Sequence, residues 1–329
     1  MGIAQVLLCI AASCAIGEAS PDEPTSLPVD FYLSAMLAER EKLRSGEFVV
    51  SGTRAGSDPA ISPLPFSGRI LIYCAFDDNR IRMDNLEPGI VVGFPPTNPP
   101  KMWAGRIERM FFRTPQQSVT WNSTDGKNRL EIARPGSAMR GRFLFFDVRG
   151  LGLTTWQQLS DRSGVKVGAA VATLNKSQRE KSVDTSDPKY VQLAFLAQTG
   201  GHSDELRYWL RPDQGFAPVR MESRMRTLQT LDPSWQVYER AEISWEQIDG
   251  VWLPVNFEIK VNRRQVAEQK LACKVRWPSV NKRVDDTRFD WQDFGAPDTV
   301  TVVDTRGAKT VVIRRSPELE RARAAAMED

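Results

Sequence analysis

The sequence predicts a mainly β protein, in which one strongly curved antiparallel sheet forms an incomplete β-barrel. Apolar and polar residues alternate through much of the chain between residues 70 and 277, as they do in strands that bury one face. No repeat of 20 to 50 residues is visible, which disfavours a propeller or a solenoid. Helical spacing is limited to an N-terminal helix and to one or two short helices, which we expect to plug the concave side.

The N-terminal helix is predicted within residues 31–46. Phe31, Met36, Leu37 and Leu43 recur there at approximately helical spacing, which is typical of an amphipathic helix. Ser45-Gly46 supplies the stop signal.

The strands are predicted from alternation and from turn residues. Four hairpins pair residues 70–76 with 81–83, 119–121 with 130–132, 206–210 with 219–221, and 300–302 with 311–313. The clearest strand covers residues 251–261, where every second residue is apolar. Pro254 lies on its other phase, which predicts either an edge strand or a bulge because proline cannot donate to the ladder. This count gives roughly ten strands.

The ends of the chain predict export. Residues 1–19 have the short apolar run and small residues of a signal peptide, so we expect a periplasmic or secreted protein. The alternative is a lipoprotein anchored through Cys14. Residues 20–30 are then a linker, 31–290 the β domain, and 291–329 a C-terminal hairpin with a charged tail. No later stretch is long and apolar enough to predict a transmembrane span.

The charge and the cysteine content limit which partners and which cysteine chemistry can be expected. The 44 Lys and Arg nearly balance the 41 Asp and Glu, so no field favours nucleic acid as a partner. Beyond the predicted signal peptide the cysteines are Cys74 and Cys273. In an oxidising compartment they could form a disulfide, or they could remain two separate buried thiols.

Catalytic and metal-binding motifs are not found in the sequence. His202 is the only histidine, so a zinc site or a Ser-His-Asp hydrolase would have to be built around this one ring. We therefore expect no metal, no cofactor and no enzyme activity. The alternative is a secreted hydrolase whose site is assembled from distant loops.

Three segments together resemble the LolA-like superfamily. They are the helix ending in Glu41-Lys-Leu-Arg-Ser-Gly, the hairpin from Tyr208 to Glu222, and Ile248-Asp-Gly-Val-Trp-Leu-Pro-Val. This family includes periplasmic lipoprotein carriers and envelope-stress sensor domains, and the resemblance extends from Phe31 to about Phe289. It implies a half-barrel whose mouth is stopped by helices over an apolar cavity that accepts acyl chains. No position matches the carriers' functional arginine.

The resemblance implies a non-catalytic envelope protein that binds a lipid or an acylated protein. The candidate residues for the cavity or its plug are Leu153, Trp156, Leu159, Tyr208 and Phe257. Leu153, Trp156 and Leu159 fall on one side of a short helix, and the competing interpretation is that they are simply core. The alternative function is an interaction or sensor module, with a filled concave face and an exposed apolar patch or strand edge elsewhere.

Overall fold

The computed structural model describes residues 27–58, 62–86, 107–122, 129–135, 147–153, 155, 179–227, 234–263, 266–290, 300–314 and 321. Helix α1 spans Val29–Glu41. The strands in the described ranges are β1 Gly46–Asp58, β2 Ser62–Phe76, β3 Ile81–Leu86, β4 Ile107–Arg113, β5 Ser118–Asn122, β6 Arg129–Ala133, β7 Glu180–Asp184, β8 Val191–Thr199, β9 His202–Arg211, β10 Ala217–Thr227, β11 Gln236–Ile248, β12 Val251–Arg263, β13 Val266–Val280, β14 Thr301–Asp304 and β15 Val311–Arg314. Short 3-10 turns occur at Val148–Gly150, Pro212–Gln214 and Asp286–Phe289.

All of these strands belong to one sheet. Their order is β15-β14-β6-β5-β4-β3-β2-β1-β13-β12-β11-β10-β9-β8-β7. The pairings are antiparallel except that β14 runs parallel to β6. The sheet is curved and is not closed into a barrel. The predicted fold class, an open curved β-sheet with an N-terminal helix, is confirmed.

One apolar core lies on the side of the sheet that α1 covers, which we call the helix face. Tyr32, Leu33 and Met36 of α1 pack there with strand residues such as Phe48 and Ile72. The predicted helix is present, but its buried stripe differs from the predicted one. Phe31 is 45% exposed, because Tyr32, Leu33 and Met36 form the face that contacts the sheet.

A second apolar core lies on the opposite face, at the β1–β6 end of the sheet. Residues from β1, β2, β4, β5 and β6 pack there with Val284, Phe289, Val300 and Val302. Strand β2 contributes to both cores, since Ile72 belongs to the first and Leu71 and Tyr73 belong to the second. This double burial explains the uninterrupted apolar run in β2.

The four predicted hairpins are present as β2–β3, β5–β6, β9–β10 and β14–β15. The predicted count of about ten strands was too low, because fifteen occur in the described ranges. Strand β12 lies between β11 and β13, so it is not an edge strand. Instead, β12 is bulged beside Pro254, because Ser244 and Trp245 of β11 pair with Asn256 and Pro254 and leave Val255 as the extra residue. The Pro254 carbonyl accepts a hydrogen bond from Trp277 Nε1 at 2.9 Å.

Cys74 and Cys273 are both buried free thiols. Cys74 pairs in register with Phe48 of β1, and Cys273 pairs with Gly52 on the other side of the same strand. Strand β1 therefore separates the two cysteines, beyond the Cα separation that a disulfide spans. Burial raises the pKa of Cys273 to about 12 and the pKa of Cys74 well above its usual range.

The C-terminal hairpin is integrated into the sheet through β14. Val303 of β14 pairs with Glu131 of β6, and Val300 and Val302 are buried in the second core. None of the helices in the described ranges has the length and apolar character needed to cross a bilayer.

Candidate functional site

The candidate site is a cavity of about 370 Å³ at the C-terminal end of α1, which we call the end cavity. Its walls come from the end of α1, the turn between β2 and β3, the 3-10 turn at Val148–Gly150, the start of β12 and the end of β13. The lining residues are Arg40, Glu41, Leu43, Arg44, Asp77, Asp78, Arg149, Val251, Trp252, Leu253, Pro254 and Trp277. The volume is within the range of small-molecule sites.

The lining of the end cavity is divided into an apolar floor and a charged rim. Val251, Leu253 and Trp277 belong to the helix-face core, and Leu43 and Trp252 pack against it. The rim carries Arg40, Arg44 and Arg149 together with Glu41, Asp77 and Asp78. The cavity is therefore an opening whose apolar floor continues into the core.

Arg40 connects α1 to the segment 147–153, which we call the plug segment. Its Nη2 donates a hydrogen bond to the Leu151 carbonyl at 3.1 Å, and its guanidinium carbon lies 4.0 Å from the centre of the Trp245 ring. Burial lowers the pKa of Arg40 to about 9, although Glu39 opposes this shift. The guanidinium therefore stays charged at neutral pH, and it is held by a carbonyl and a ring.

A second arginine holds the plug segment in shape. Arg149 donates from Nε to Asp147 Oδ1 at 2.9 Å and from Nη2 to Asp147 Oδ2 at 2.6 Å, and it lies 4.2 Å from the Phe76 ring centre. Asp147 also accepts from the Arg149 backbone N–H at 3.0 Å. Burial opposes the charge on Arg149, but the Asp147 carboxylate raises its pKa.

The far end of the plug segment is fixed by Tyr208, whose hydroxyl donates to the Leu153 carbonyl at 3.2 Å. Gly152 has φ +72 and lies so close to the sheet that an added Cβ would be 2.6 Å from Pro218 Cγ. Only glycine tolerates both this positive φ and this close approach to Pro218. Two carbonyl hydrogen bonds, at Leu151 and Leu153, thus attach the plug segment to α1 and to β9.

Of the sequence-predicted ligand residues, Leu153, Tyr208 and Phe257 are buried in the helix-face core. Leu153 and Tyr208 contact each other, whereas none of the three lines the end cavity. Trp156 and Leu159 lie outside the described residues. Their assignment to a ligand site remains a prediction.

Sequence reasoning missed the residues that do line the end cavity, notably Arg40, Trp252 and Trp277. One usable signal was available, because Trp252 is apolar on the otherwise polar phase of β12. The burial of Arg40 gave no comparable signal, since an arginine near the end of a helix normally faces solvent.

The described part of the chain contains no recognisable catalytic site and no metal-binding site. No set of three His, Cys, Asp or Glu side chains there is arranged to hold a metal ion. His202 is 43% exposed, and its Nε2 lies 3.7 Å from Asp204. Both cysteine thiols are buried and hard to ionise, so they are poor nucleophiles.

Comparison with known proteins gives similarity to solved structures, whereas no family model and no curated protein matches the chain. A DUF1329-family protein from Desulfovibrio piger has a TM-score of 0.43 at 10% identity, covering 81% of this chain and 99% of that one. A domain from Vibrio parahaemolyticus described as an outer membrane lipoprotein-sorting protein has a TM-score of 0.44 at 9% identity, with 80% and 98% covered. A LolA-superfamily protein from Nitrosomonas europaea has a TM-score of 0.42 at 9% identity, with 81% and 99% covered.

Proposed function

We propose that the protein is a non-catalytic binding protein for an amphiphilic molecule, either a lipid or an acylated protein segment. The observation that carries the proposal is the end cavity, which joins an apolar floor to a charged rim. The apolar part of the ligand would contact Leu43, Leu253 and Trp277, and its polar head would lie at the rim.

An amphiphile fits this lining better than a wholly polar or a wholly apolar ligand does. A polar molecule would lose hydrogen bonds to water on entering the floor without regaining them. An acyl chain gains about 0.8 kcal/mol for each buried CH₂ group. At the rim the exposed Arg44 offers hydrogen-bond donors, and the exposed Glu41 and Asp78 offer carboxylate acceptors, so the head group would keep its hydrogen bonds.

A long acyl chain needs more space than the end cavity has, so the plug segment would have to move. Leu33, Phe48, Ile72 and Leu151 are fully buried on the helix face, and the protein's own side chains fill that part of the core. The two carbonyl hydrogen bonds of the plug segment contribute only about 1 kcal/mol each. The larger cost of the movement is the exposure of Val148, Leu151 and Leu153, which are buried in the core, and the acyl chain would have to replace their contacts.

The proposal includes an envelope location. The support is the apolar N-terminal run that resembles a signal peptide, since amphiphilic cargo of this kind is abundant beside membranes.

The test is a titration of the purified protein with a fluorescently labelled fatty acid, together with native mass spectrometry for lipid that co-purifies. Leu43→Glu places a carboxylate on the floor. We expect it to weaken probe binding by at least about tenfold, since burying an unpaired charge costs more than the 1.4 kcal/mol this factor requires. The matched control is Val237→Glu, at an exposed valine outside the cavity.

Two outcomes would overturn the proposal. One is a wild-type protein that carries no lipid and does not bind the probe. The other is probe binding that Leu43→Glu and Val237→Glu leave equally unchanged, because the ligand would then lie elsewhere. Thermal unfolding of both variants checks that any loss of binding is not a loss of fold.

A further inference from the structure

A second, larger cavity lies on the face of the sheet opposite to α1, and we call it the opposite-face groove. It has a volume of about 960 Å³ and crosses six neighbouring strands, β9 to β13 and β1. At the usual strand spacing of about 4.8 Å, its length across the sheet is about 24 Å. It shares no lining residue with the end cavity.

The strand register arranges the side chains of the groove in two rows, because residues paired across neighbouring strands point to the same face. The first row is Ser244, Asn256, Lys274 and Ser51. The second row is Trp209, Arg220, Glu242, Glu258 and Ala272. Between the rows, Ile243, Phe257 and Cys273 turn their side chains into the helix-face core, so the groove has a polar lining on a rigid sheet.

The polar side chains of the groove fall into two sets, one held in ion pairs and one without side-chain hydrogen bonds or ion pairs to the described residues. Two charged side chains of the groove are paired with neighbours, Arg220 with Glu222 and Glu258 with Lys260 and Lys270. In contrast, no side-chain hydrogen bond or ion pair within the described residues engages a strip of five side chains in the groove. The strip is Ser51, Glu242, Ser244, Asn256 and Lys274.

Aromatic rings stand at the β9 end of the groove. Trp209 and Tyr190 both line it and are half-buried. The guanidinium carbons of Arg220 and Arg207 lie 4.4 and 6.0 Å from the Trp209 ring centre, so arginine covers part of the indole. Tyr190 and the part of Trp209 that lines the groove thus adjoin a row of solvent-exposed donors and acceptors.

We infer that the opposite-face groove binds an uncharged oligosaccharide. Sugar hydroxyls both donate and accept hydrogen bonds, which matches a strip that mixes hydroxyls, an amide, an ammonium group and a carboxylate. The apolar face of a sugar ring packs on an indole as other flat apolar surfaces do.

Other ligand classes fit the groove less well. Arg220 and Lys274 nearly balance Asp187, Glu242 and Glu258, so neither a polyanion nor a polycation is favoured. An acyl chain would desolvate the polar strip without compensating hydrogen bonds. An extended peptide could not add to the sheet here, because all six strands already have neighbours on both sides.

The test is calorimetric titration of the whole protein with two uncharged probes, the hexasaccharide of N-acetylglucosamine and cellohexaose. We expect saturable binding of at least one probe, weakened at least about tenfold by Trp209→Ala and by Asn256→Ala. The matched control is Trp235→Ala, since Trp235 also packs against arginines, Arg224 and Arg226, but does not line the groove. Added salt should change the affinity by less than about twofold, because an uncharged ligand is not screened.

Absence of binding by both probes would overturn the inference, and so would binding that neither groove variant weakens. Asn256 is exposed, so Asn256→Ala keeps the test decisive even if Trp209→Ala fails to fold. The inference does not depend on the proposed amphiphile site. The fatty-acid probe and the sugar probes can therefore succeed or fail separately.

Discussion

At the scale of single residues, the arrangement of Arg40 is unusual for a buried cation. A buried guanidinium is generally held by a carboxylate, yet Arg40 donates to the Leu151 carbonyl and lies over the Trp245 ring. Burial lowers the pKa of Arg40 to about 9, and the charge of Glu39 opposes that shift. We therefore expect the hydrogen bond and the ring contact of Arg40 to add little net stability.

Tyr208 provides the sharpest single-residue prediction. Tyr208→Phe removes the hydrogen bond to the Leu153 carbonyl while keeping the ring, so we expect the free energy of unfolding to fall by about 1 kcal/mol. Because the plug segment would be released more easily, the fatty-acid probe should also associate faster. Chemical denaturation and stopped-flow fluorescence measure the two effects.

The matched control is Tyr238→Phe. The Tyr238 hydroxyl is buried without a hydrogen-bond partner in the described part of the chain, so its removal should leave stability unchanged or slightly higher. Equal losses of stability in the two variants would contradict the assigned role of the Tyr208 hydroxyl.

At the scale of elements, local alternation predicted what lies within a strand and its hairpin partner. The β9–β10 and β2–β3 hairpins follow from such patterns because turn residues and alternation act over a few residues. The polar phase of β3 shows that local alternation does not predict burial caused by a distant segment. Arg82 and Asp84 lie on the polar phase of β3, yet they are buried as an ion pair at 2.8 Å. Arg288 lies against them, and its carbonyl accepts a hydrogen bond from Arg82 at 3.2 Å.

The candidate site was harder to predict than the strands for the same physical reason. The end cavity joins parts of the chain as distant as Arg40, Arg149 and Trp277, and no local pattern records that they meet. Tyr208 and Leu153 were predicted from alternation and helical spacing, and they do meet. However, the pattern identifies them as buried residues and does not distinguish a core from a cavity wall.

On the opposite face of strands β9 to β13, the same arrangement recurs, in which one glutamate carboxylate lies between two basic side chains. Glu222 accepts from Arg220 Nε at 3.1 Å and from Arg240 Nε at 2.7 Å. Burial acts to raise the pKa of Glu222, but these two arginines together lower it. Its folded-state pKa is thus below its unfolded value, so its contribution to stability is present at neutral pH and is lost as pH falls through the folded-state pKa.

Glu222→Gln should therefore lower the free energy of unfolding at neutral pH by about 2 kcal/mol, the range for hydrogen bonds to charged groups. The difference from wild type should begin to shrink as the pH falls below about 4.3, the ordinary glutamate pKa, and should be lost once the pH is below the folded-state pKa of Glu222. Denaturant titrations across this pH range measure it. A difference that stays constant with pH would show that the loss comes from packing alone.

At the scale of the whole molecule, the two cores occupy opposite faces and are offset along the sheet. The helix-face core extends from β4 through β1 and β13 to β8, while the opposite-face core lies on β1, β2, β4, β5, β6 and β14. Both cores include residues of β1 and β2, such as Phe48 and Val49. In the described part of the chain neither core reaches the opposite face of β9 to β13, which is where the groove lies, and β7 and β15 form the two edges of the described sheet.

Strand β15 forms one of these edges and is apolar. Val311, Val312 and Ile313 are 56%, 42% and 55% exposed, and among the described strands β15 is paired with β14 on one side only. An exposed apolar edge offers unpaired backbone groups to another strand. We therefore expect a second copy of this chain to pair there, giving self-association that grows with protein concentration. Val312→Lys should reduce it, because a charge on an edge strand opposes such pairing.

Sedimentation velocity over a range of concentrations measures this association. The matched control is Val237→Lys, an equally drastic change at an exposed valine of β11, which already has strands on both sides. A wild-type protein that stays monomeric at all concentrations would contradict the prediction. So would equal effects of the two lysines, since association would then respond to net charge and not to the edge.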